Sequence, residues 1–126
     1  MLKKTKKILI VEDEQSMLRA LVDKFTREGL EVIEAKNGEE GLELTLKEHP
    51  DLILLDIVMP KMDGMTMLRK LKEKGWNKDA EVVLLTNLSC KKNVADAVEC
   101  GVYDYLVKSD WKIADVVQKV KERLGV

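Results

Sequence analysis

The stretch LILLDIVMPKMDG, residues 52–64, decides the fold. Its four leading apolar residues run directly into Asp56, and a turn that contains Pro60 and Gly64 follows. A short, continuous apolar run of this kind predicts a strand that is buried on both faces. A carboxylate at the end of such a strand costs free energy unless it has a partner or a function. Asp56 is therefore the first candidate functional residue.

The rest of the chain repeats this pattern of a strand followed by a helix. Strands are predicted at about residues 7–11, 30–35, 52–56, 82–86 and 103–107, and apolar residues at helical spacing follow each of them. Asn37-Gly38 is interpreted as a turn after the second strand. Strict alternation of strands and helices implies a parallel sheet with right-handed crossovers and helices on both faces.

The composition of each strand predicts its place in the sheet. The first, third and fourth strands are apolar throughout and are expected in the centre, whereas the mixed second and fifth strands are expected at the edges. The doubly wound order 2-1-3-4-5 satisfies both conditions. We therefore predict one α/β domain over residues 1–126, of the flavodoxin-like type, with a five-stranded parallel sheet and five helices. The last helix is expected to end at residues 124–126, with no effector domain present.

Composition excludes several classes of function. The net charge is -1, from 22 basic and 23 acidic residues, which argues against nucleic acid or a membrane surface as the main partner. No apolar run approaches the roughly 20 residues of a membrane span. Cys90 and Cys100 lack metal-site spacing, and His49 is the one histidine, so no zinc or Cys/His catalytic site is predicted. Two unpaired cysteines favour a reducing cytoplasm.

Three carboxylates are expected to converge where the winding of the sheet reverses. Glu12 and Asp13 follow the first strand, and Asp56 ends the third. The carboxyl ends of strands on either side of such a point form the ligand crevice of this architecture. The three charges repel one another, and a hard divalent cation relieves that repulsion. A donor set made only of oxygen atoms indicates Mg²⁺, with Mn²⁺ or Ca²⁺ as substitutes.

Two further residues at the same edge suit a phosphoryl group. Thr86 ends the fourth strand and Lys108 follows the fifth, so a hydroxyl and an ammonium are expected beside Asp56. Neither is needed to bind a metal, but both are suitable partners for phosphoryl oxygens. The chain has neither a GxGxxG nor a GxxxxGK[ST] phosphate loop. A phosphoryl group carried covalently on a carboxylate is therefore favoured over a bound nucleotide.

These residues resemble a known family. The match covers essentially the whole chain. It consists of five positions in the right order at strand ends: Glu12, Asp13, Asp56 within LLDIVMPKMDG, Thr86 after VVLL, and Lys108 after YDYLV. The sequence is similar to the receiver, or phosphoacceptor, domain of two-component response regulators. The resemblance implies a signalling switch that catalyses its own phosphorylation and slow dephosphorylation, and not an enzyme that turns over separate substrates.

The resemblance also implies roles at the site. Asp56 would accept a phosphoryl group from a sensor histidine kinase or a phosphotransfer protein. Asp13 would bind Mg²⁺ directly and Glu12 largely through water, and the backbone carbonyl of Val58 would complete the protein ligands. Lys108 would pair with Asp56 or with its phosphoryl group.

A change of shape is implied as well. Thr86 would move to hydrogen-bond the phosphoryl oxygen, and Tyr105, at the family's aromatic switch position, would turn inward. The face formed by the fourth predicted helix, the fifth strand and the last helix would then change shape for a downstream effector or for self-dimerisation. A shift from mostly off to mostly on requires about 5.5 kcal/mol of differential interaction.

Two positions, Ser109 and Asn87, depart from the family pattern, and two variable positions, Val58 and Leu88, bear on the lifetime of the phosphoryl group. Ser109 stands where the family usually has a proline in a cis peptide, and a cis bond before serine would cost about 3–4 kcal/mol. Asn87 replaces a small residue. Val58 and Leu88 occupy the variable positions that tune water attack, and neither can orient a water, so a long-lived phosphoaspartate is predicted. The alternative interpretation is a phosphorylation-independent interaction module, which the Ser109 and Asn87 departures leave open.

Overall fold

The computed structural model describes residues 5–56, 62, 64–75, 81–86, 104–107 and 112–125, with the side chains of 86 and 104–107 excepted. Its strands are β1 (Lys7–Val11), β2 (Glu31–Ala35), β3 (Leu52–Asp56), β4 (Glu81–Thr86) and β5 (Asp104–Val107). Its helices are α1 (Gln15–Arg27), α2 (Gly38–Glu48), α3 (Gly64–Glu73) and α4 (Ile113–Leu124). These are four helices within the described ranges. The fourth predicted helix, which the spacing of Val94, Ala97 and Val98 indicates and Gly101 ends, lies outside them.

The strands form one parallel sheet in the order β2-β1-β3-β4-β5, which is the predicted order. The edge strand β2 exposes Glu31 and Glu34, whereas all five residues of β3 are buried. The contrast between mixed and continuous apolar runs therefore predicted the position of these strands correctly. Within the described ranges, no helix has the length and apolar content of a transmembrane span.

Alternate residues of each central strand feed two cores, one on each face of the sheet. Leu9, Ile53, Leu55 and Leu84 pack with the buried face of α3, and α2 adds its partly buried Leu42 and Leu44. On the other face the buried residues come from β1, β3 and β4 together with α1 and α4: Ile8, Ile10, Leu52, Leu54, Val83, Leu85, Leu18, Leu21, Phe25, Val116, Val117, Val120 and Leu124. Helices thus cover both faces, and this explains why the central strands are apolar between their end residues.

The amino ends of the strands are joined by Lys7 and Asp51. The N–H of Lys7 donates to Oδ2 of Asp51 at 2.8 Å, and the N–H of Asp51 donates to the carbonyl of Lys7 at 2.8 Å. The carbonyl of Asp51 accepts from the N–H of Glu81 at 3.0 Å, which adds β4 to the link. The ammonium of Lys7 lies 3.4 Å from Glu31 and 3.6 Å from Glu48. Hydrogen bonds and ion pairs therefore link the starts of β1, β3 and β4 at this edge of the sheet.

Candidate functional site

The register of the central strands places the acidic residues side by side. Val11 of β1 pairs with Leu55 of β3, and the next residue of the chain after each of them is an acid, Glu12 or Asp56. The strands are parallel, so both acids reach the same edge of the sheet. Asp13 follows Glu12 at this edge, which is the carboxyl edge and lies opposite Lys7 and Asp51.

The three predicted acids form one cluster. Glu12, Asp13 and Asp56 each offer a carboxylate oxygen, and these oxygens all lie within 4.8 Å of one another. Glu12 is fully buried and Asp56 is 3% exposed, whereas Asp13 is exposed. The cluster therefore has a buried floor and a side that is open to solvent. We call these three residues the acidic cluster.

The buried carboxylate of Glu12 is held by backbone groups. Its Oε1 accepts a hydrogen bond from the N–H of Glu14 at 3.2 Å. The backbone N–H of Glu12 donates to the carbonyl of Ala35 at 3.0 Å. Glu14 is the N-cap residue of α1, so the acids of this segment lie near the positive end of that helix dipole. Backbone donors and the helix terminus lower the cost of keeping charge at this position.

The donor set fits a hard divalent cation. It consists of carboxylate oxygens, and the described part of the cluster contains no nitrogen or sulfur ligand. Mg²⁺ prefers oxygen donors and usually retains several waters, which suits a cluster that is open on one side. The predicted ligands Glu12, Asp13 and Asp56 are thus brought together. Val58, the fourth predicted ligand, lies outside the described residues.

The backbone also brings Thr86 to this edge. Asp56 pairs with Leu85 across the β3–β4 ladder, so Thr86 ends β4 one residue beyond the level of Asp56. Thr86 in turn pairs with Val107, the residue before Lys108. Tyr105 pairs with Leu84, two residues earlier in each strand. Lys108, Asn87, Leu88 and Ser109, and the predictions that rest on them, lie outside the described residues.

The sequence did not predict the helix cap at Asn37 or the contact of Gly38 with Met62. The predicted turn at Asn37-Gly38 is the start of a helix: Asn37 is the N-cap of α2, and its side chain accepts from the N–H of Glu40 at 3.0 Å. The N–H of Gly38, the first residue of α2, donates to the carbonyl of Met62 at 3.0 Å. A glutamate three residues after an asparagine was the available signal for the cap. The contact with Met62 has no signal in the sequence.

Comparison with known proteins assigns the family. The model of the response regulator receiver domain family matches residues 8–121. The chain belongs to this family. Receiver domains of response regulators are signalling modules that act together with histidine kinases and effector domains.

Two curated relatives match this chain over part of their own length. The chain is 41% identical over 102 residues to the probable transcriptional regulator ycf27 of Porphyra purpurea, covering 81% of this chain and 41% of that protein. It is 36% identical over 119 residues to a protein-glutamate methylesterase/protein-glutamine glutaminase of Archaeoglobus fulgidus, covering 92% of this chain and 33% of that protein. The chain therefore spans less than half the length of these curated relatives.

A solved structure extends the comparison to the fold. The chain matches a chain of the CheX–CheY–BeF3–Mg²⁺ complex from Borrelia burgdorferi with a TM-score of 0.80 and 33% sequence identity. The match covers 93% of this chain and 87% of that one.

Proposed function

We propose that this receiver domain accepts a phosphoryl group on Asp56 from the phosphohistidine of a sensor histidine kinase or a phosphotransfer protein. The observation that carries the proposal is the acidic cluster, with Asp56 at its floor and Glu12 and Asp13 within 4.8 Å of it. In the reaction an oxygen of Asp56 forms a bond to phosphorus while the phosphorus–nitrogen bond to the histidine breaks. The imidazole leaves and takes up a proton.

The acidic cluster is also the proposed metal site. Asp13 and Asp56 would hold Mg²⁺ directly, Glu12 would act largely through water, and the backbone carbonyl of Val58 would be a further ligand. Mn²⁺ or Ca²⁺ would substitute. When bound, the cation neutralises charge on the phosphoryl oxygens as the group is transferred. The Borrelia burgdorferi relative was solved as a complex with BeF3 and Mg²⁺, which supports this ligand chemistry for the family.

Three further residues are proposed to bind the phosphoryl group or to respond to it: Thr86, Lys108 and Tyr105. Thr86 would hydrogen-bond a phosphoryl oxygen, and Lys108 would pair with the charge. Tyr105 would turn inward as Thr86 moves, which changes the face formed by the helix predicted near residues 94–101, β5 and α4. The place of Thr86 beside Asp56 at the end of β4 supports this assignment. The partner at that face would be an effector or a second copy of the chain.

We do not propose a turnover enzyme. Aspartyl-phosphate hydrolases need a second acid two residues after the nucleophile as general acid and base, and this position is Val58. Cytoplasmic location stays a prediction that rests on Cys90 and Cys100, which lie outside the described residues.

The direct test is phosphorylation with acetyl phosphate as a small phosphodonor. We expect the intact mass to increase by one phosphoryl group in the presence of Mg²⁺, and we expect no increase in Asp56→Asn or after removal of the metal with EDTA. Asp51→Asn is the matched control, because Asp51 lies at the opposite edge of the sheet. If the mass of the wild-type chain does not increase, the result contradicts the proposal and favours the interaction module that works without phosphorylation.

A further inference from the structure

The segment between β2 and α2 contacts both of the connections that carry the acidic cluster. At its start the carbonyl of Ala35 accepts from the N–H of Glu12 at 3.0 Å. At its end the N–H of Gly38 donates to the carbonyl of Met62 at 3.0 Å. Met62 belongs to the connection between Asp56 and α3. Four residues, Ala35 to Gly38, thus bridge the two sides of the site, and we call them the bridging segment.

The bridging segment is itself held firmly. Asn37 is 8% exposed, and its side chain caps α2 through the N–H of Glu40. The side chain of Glu40 in turn accepts from the N–H of Lys36 at 3.3 Å. Gly38 therefore presents its N–H to Met62 from a fixed backbone. The first N–H groups of a helix have no partner within the helix, so this one is available for the contact.

Only glycine fits at position 38. A Cβ added to Gly38 would overlap the carbonyl oxygen of Met62 and would lie 2.9 Å from its carbonyl carbon. Both are backbone atoms, so a rotation of a side chain does not relieve the overlap. Any larger residue has to push the backbone of Met62 away from α2 and lengthen the hydrogen bond.

We propose that Gly38 is a positioning residue for the divalent cation site. It acts by joining the backbone of Met62, in the connection that follows Asp56, to the segment whose Ala35 carbonyl accepts from the N–H of Glu12. The proposal rests on the proposed function, since it concerns the same metal. Ligand positions within about 0.5 Å decide the strength of such sites, so a displaced connection should weaken binding of the cation before it weakens the fold.

The first test is calorimetric titration of Mg²⁺ into Gly38→Ala and two controls. Gly41→Ala lies on the same helix, but its added Cβ would meet side-chain atoms of Met67 at 2.8 Å and of Val11 at 3.0 Å. Gly29→Ala introduces strain at a φ of +86° with nothing within 4 Å. We expect the dissociation constant to rise at least about tenfold in Gly38→Ala and to stay within about twofold in both controls, even where they lower the melting temperature equally.

The second test uses the wild-type chain and so does not depend on the folding of a variant. Exchange of the Gly38 amide proton is followed by NMR with and without Mg²⁺. If opening of the Gly38–Met62 contact abolishes binding of the cation, Mg²⁺ at 100 times its dissociation constant slows this exchange by up to about 100-fold.

The outcomes separate the two proposals. A wild-type chain that binds no Mg²⁺ overturns the proposed metal site and this inference together. A wild-type chain that binds Mg²⁺ overturns the inference alone when Gly38→Ala binds the cation equally well. The same holds when exchange at Gly38 is unchanged by Mg²⁺, or when the controls lose affinity as much as Gly38→Ala does.

Discussion

Val11 and Leu55 are partners in the parallel ladder between β1 and β3. This pairing means that the acids which follow them, Glu12 and Asp56, emerge together from the most buried part of the sheet. A shift of one residue in the register would separate them by more than about 3 Å along the strand direction. The apolar strands therefore set the geometry of the charged site, and the two cores that fix the register also fix the distance between the acids.

Repulsion within the acidic cluster should be measurable without any cation. Asp13→Asn removes one charge from the exposed side of the cluster. We expect it to stabilise the Mg²⁺-free protein by about 1 kcal/mol, which is the interaction of two unit charges near 4 Å in water. The melting temperature should rise by about 4 °C. The increase in melting temperature on addition of Mg²⁺ should be smaller than in wild type, because a ligand has been lost.

Asp23→Asn is the control for this measurement. Asp23 lies in α1 outside the acidic cluster and pairs with Arg27 at 3.2 Å. Its replacement should leave the melting temperature unchanged or slightly lower. An Asp13→Asn protein that is no more stable than wild type in EDTA would show that repulsion in the cluster is already compensated.

Glu12→Gln tests the buried member of the cluster. A glutamine oxygen can still accept from the N–H of Glu14, so the backbone contact is retained while the charge is removed. We expect the affinity for Mg²⁺ to fall by about 10–100-fold, as is typical when a partner outside the inner coordination shell is lost. Calorimetric titration measures the change. Glu14→Gln, an exposed neighbour, should bind Mg²⁺ like wild type, and equal losses in both variants would argue against a specific role for Glu12.

His49 ends α2 in a conformation that suits glycine. Its φ is 51° and its ψ is 61°, in the left-handed region, where a Cβ costs about 1–2 kcal/mol. We expect His49→Gly to stabilise the chain by about 0.5–1 kcal/mol after the extra entropy of an unfolded glycine is counted. Urea unfolding measures the gain. His49→Ala removes the imidazole but keeps the Cβ, so an equal gain in both variants would assign the effect to the ring.

The ion pair between α1 and α4 should make stability depend on pH. Lys121 lies 3.0 Å from Oε1 of Glu28, and its hydrogen bond and charge lower the pKa of that carboxyl below its ordinary value of 4.5. Because the pKa is lower in the folded state, the pair stabilises the fold above about pH 4.5, and this contribution is lost as the pH falls through the folded pKa.

Glu28→Gln should therefore melt slightly below wild type at pH 7, and the difference should narrow below pH 4.5. Thermal unfolding followed by circular dichroism across this range checks the trend. Lys121→Gln should show the same narrowing, and the double variant should add little to either single one. A difference that stays constant with pH would assign the effect to packing and not to charge.

The lifetime of the phosphoaspartate is a further prediction. The resemblance to the family assigns Val58 and Leu88 to the two positions that tune water attack, and neither of these apolar side chains can orient a water. We expect the phosphoryl group on Asp56 to persist well beyond seconds with Mg²⁺ present and no phosphatase. Decay followed by intact mass measures it, and Leu88→Glu should shorten the lifetime. Loss of the group within seconds from the wild-type chain would contradict the prediction.

Much of the fold could be predicted from the sequence because burial on two faces leaves a distinct pattern. The continuous apolar runs around Leu9, Leu54 and Leu84 identified the central strands, and the glutamates of β2 identified an edge. The acidic cluster could be predicted because the carboxyl ends of neighbouring parallel strands must meet. The contact of Gly38 with Met62 could not, since it depends on the distance between α2 and a connection far away in sequence.

Asp51 and Lys7 make the two edges of the sheet differ in their hydrogen bonds and charges. Their mutual hydrogen bonds, and the bond from Glu81, lock the starts of three adjacent strands into one frame. Opposite charges meet at this frame, whereas like charges gather at the other edge. The cation and the phosphoryl group proposed for that edge would therefore act on one side of the sheet, while the hydrogen bonds of Lys7 and Asp51 hold the strand starts on the other.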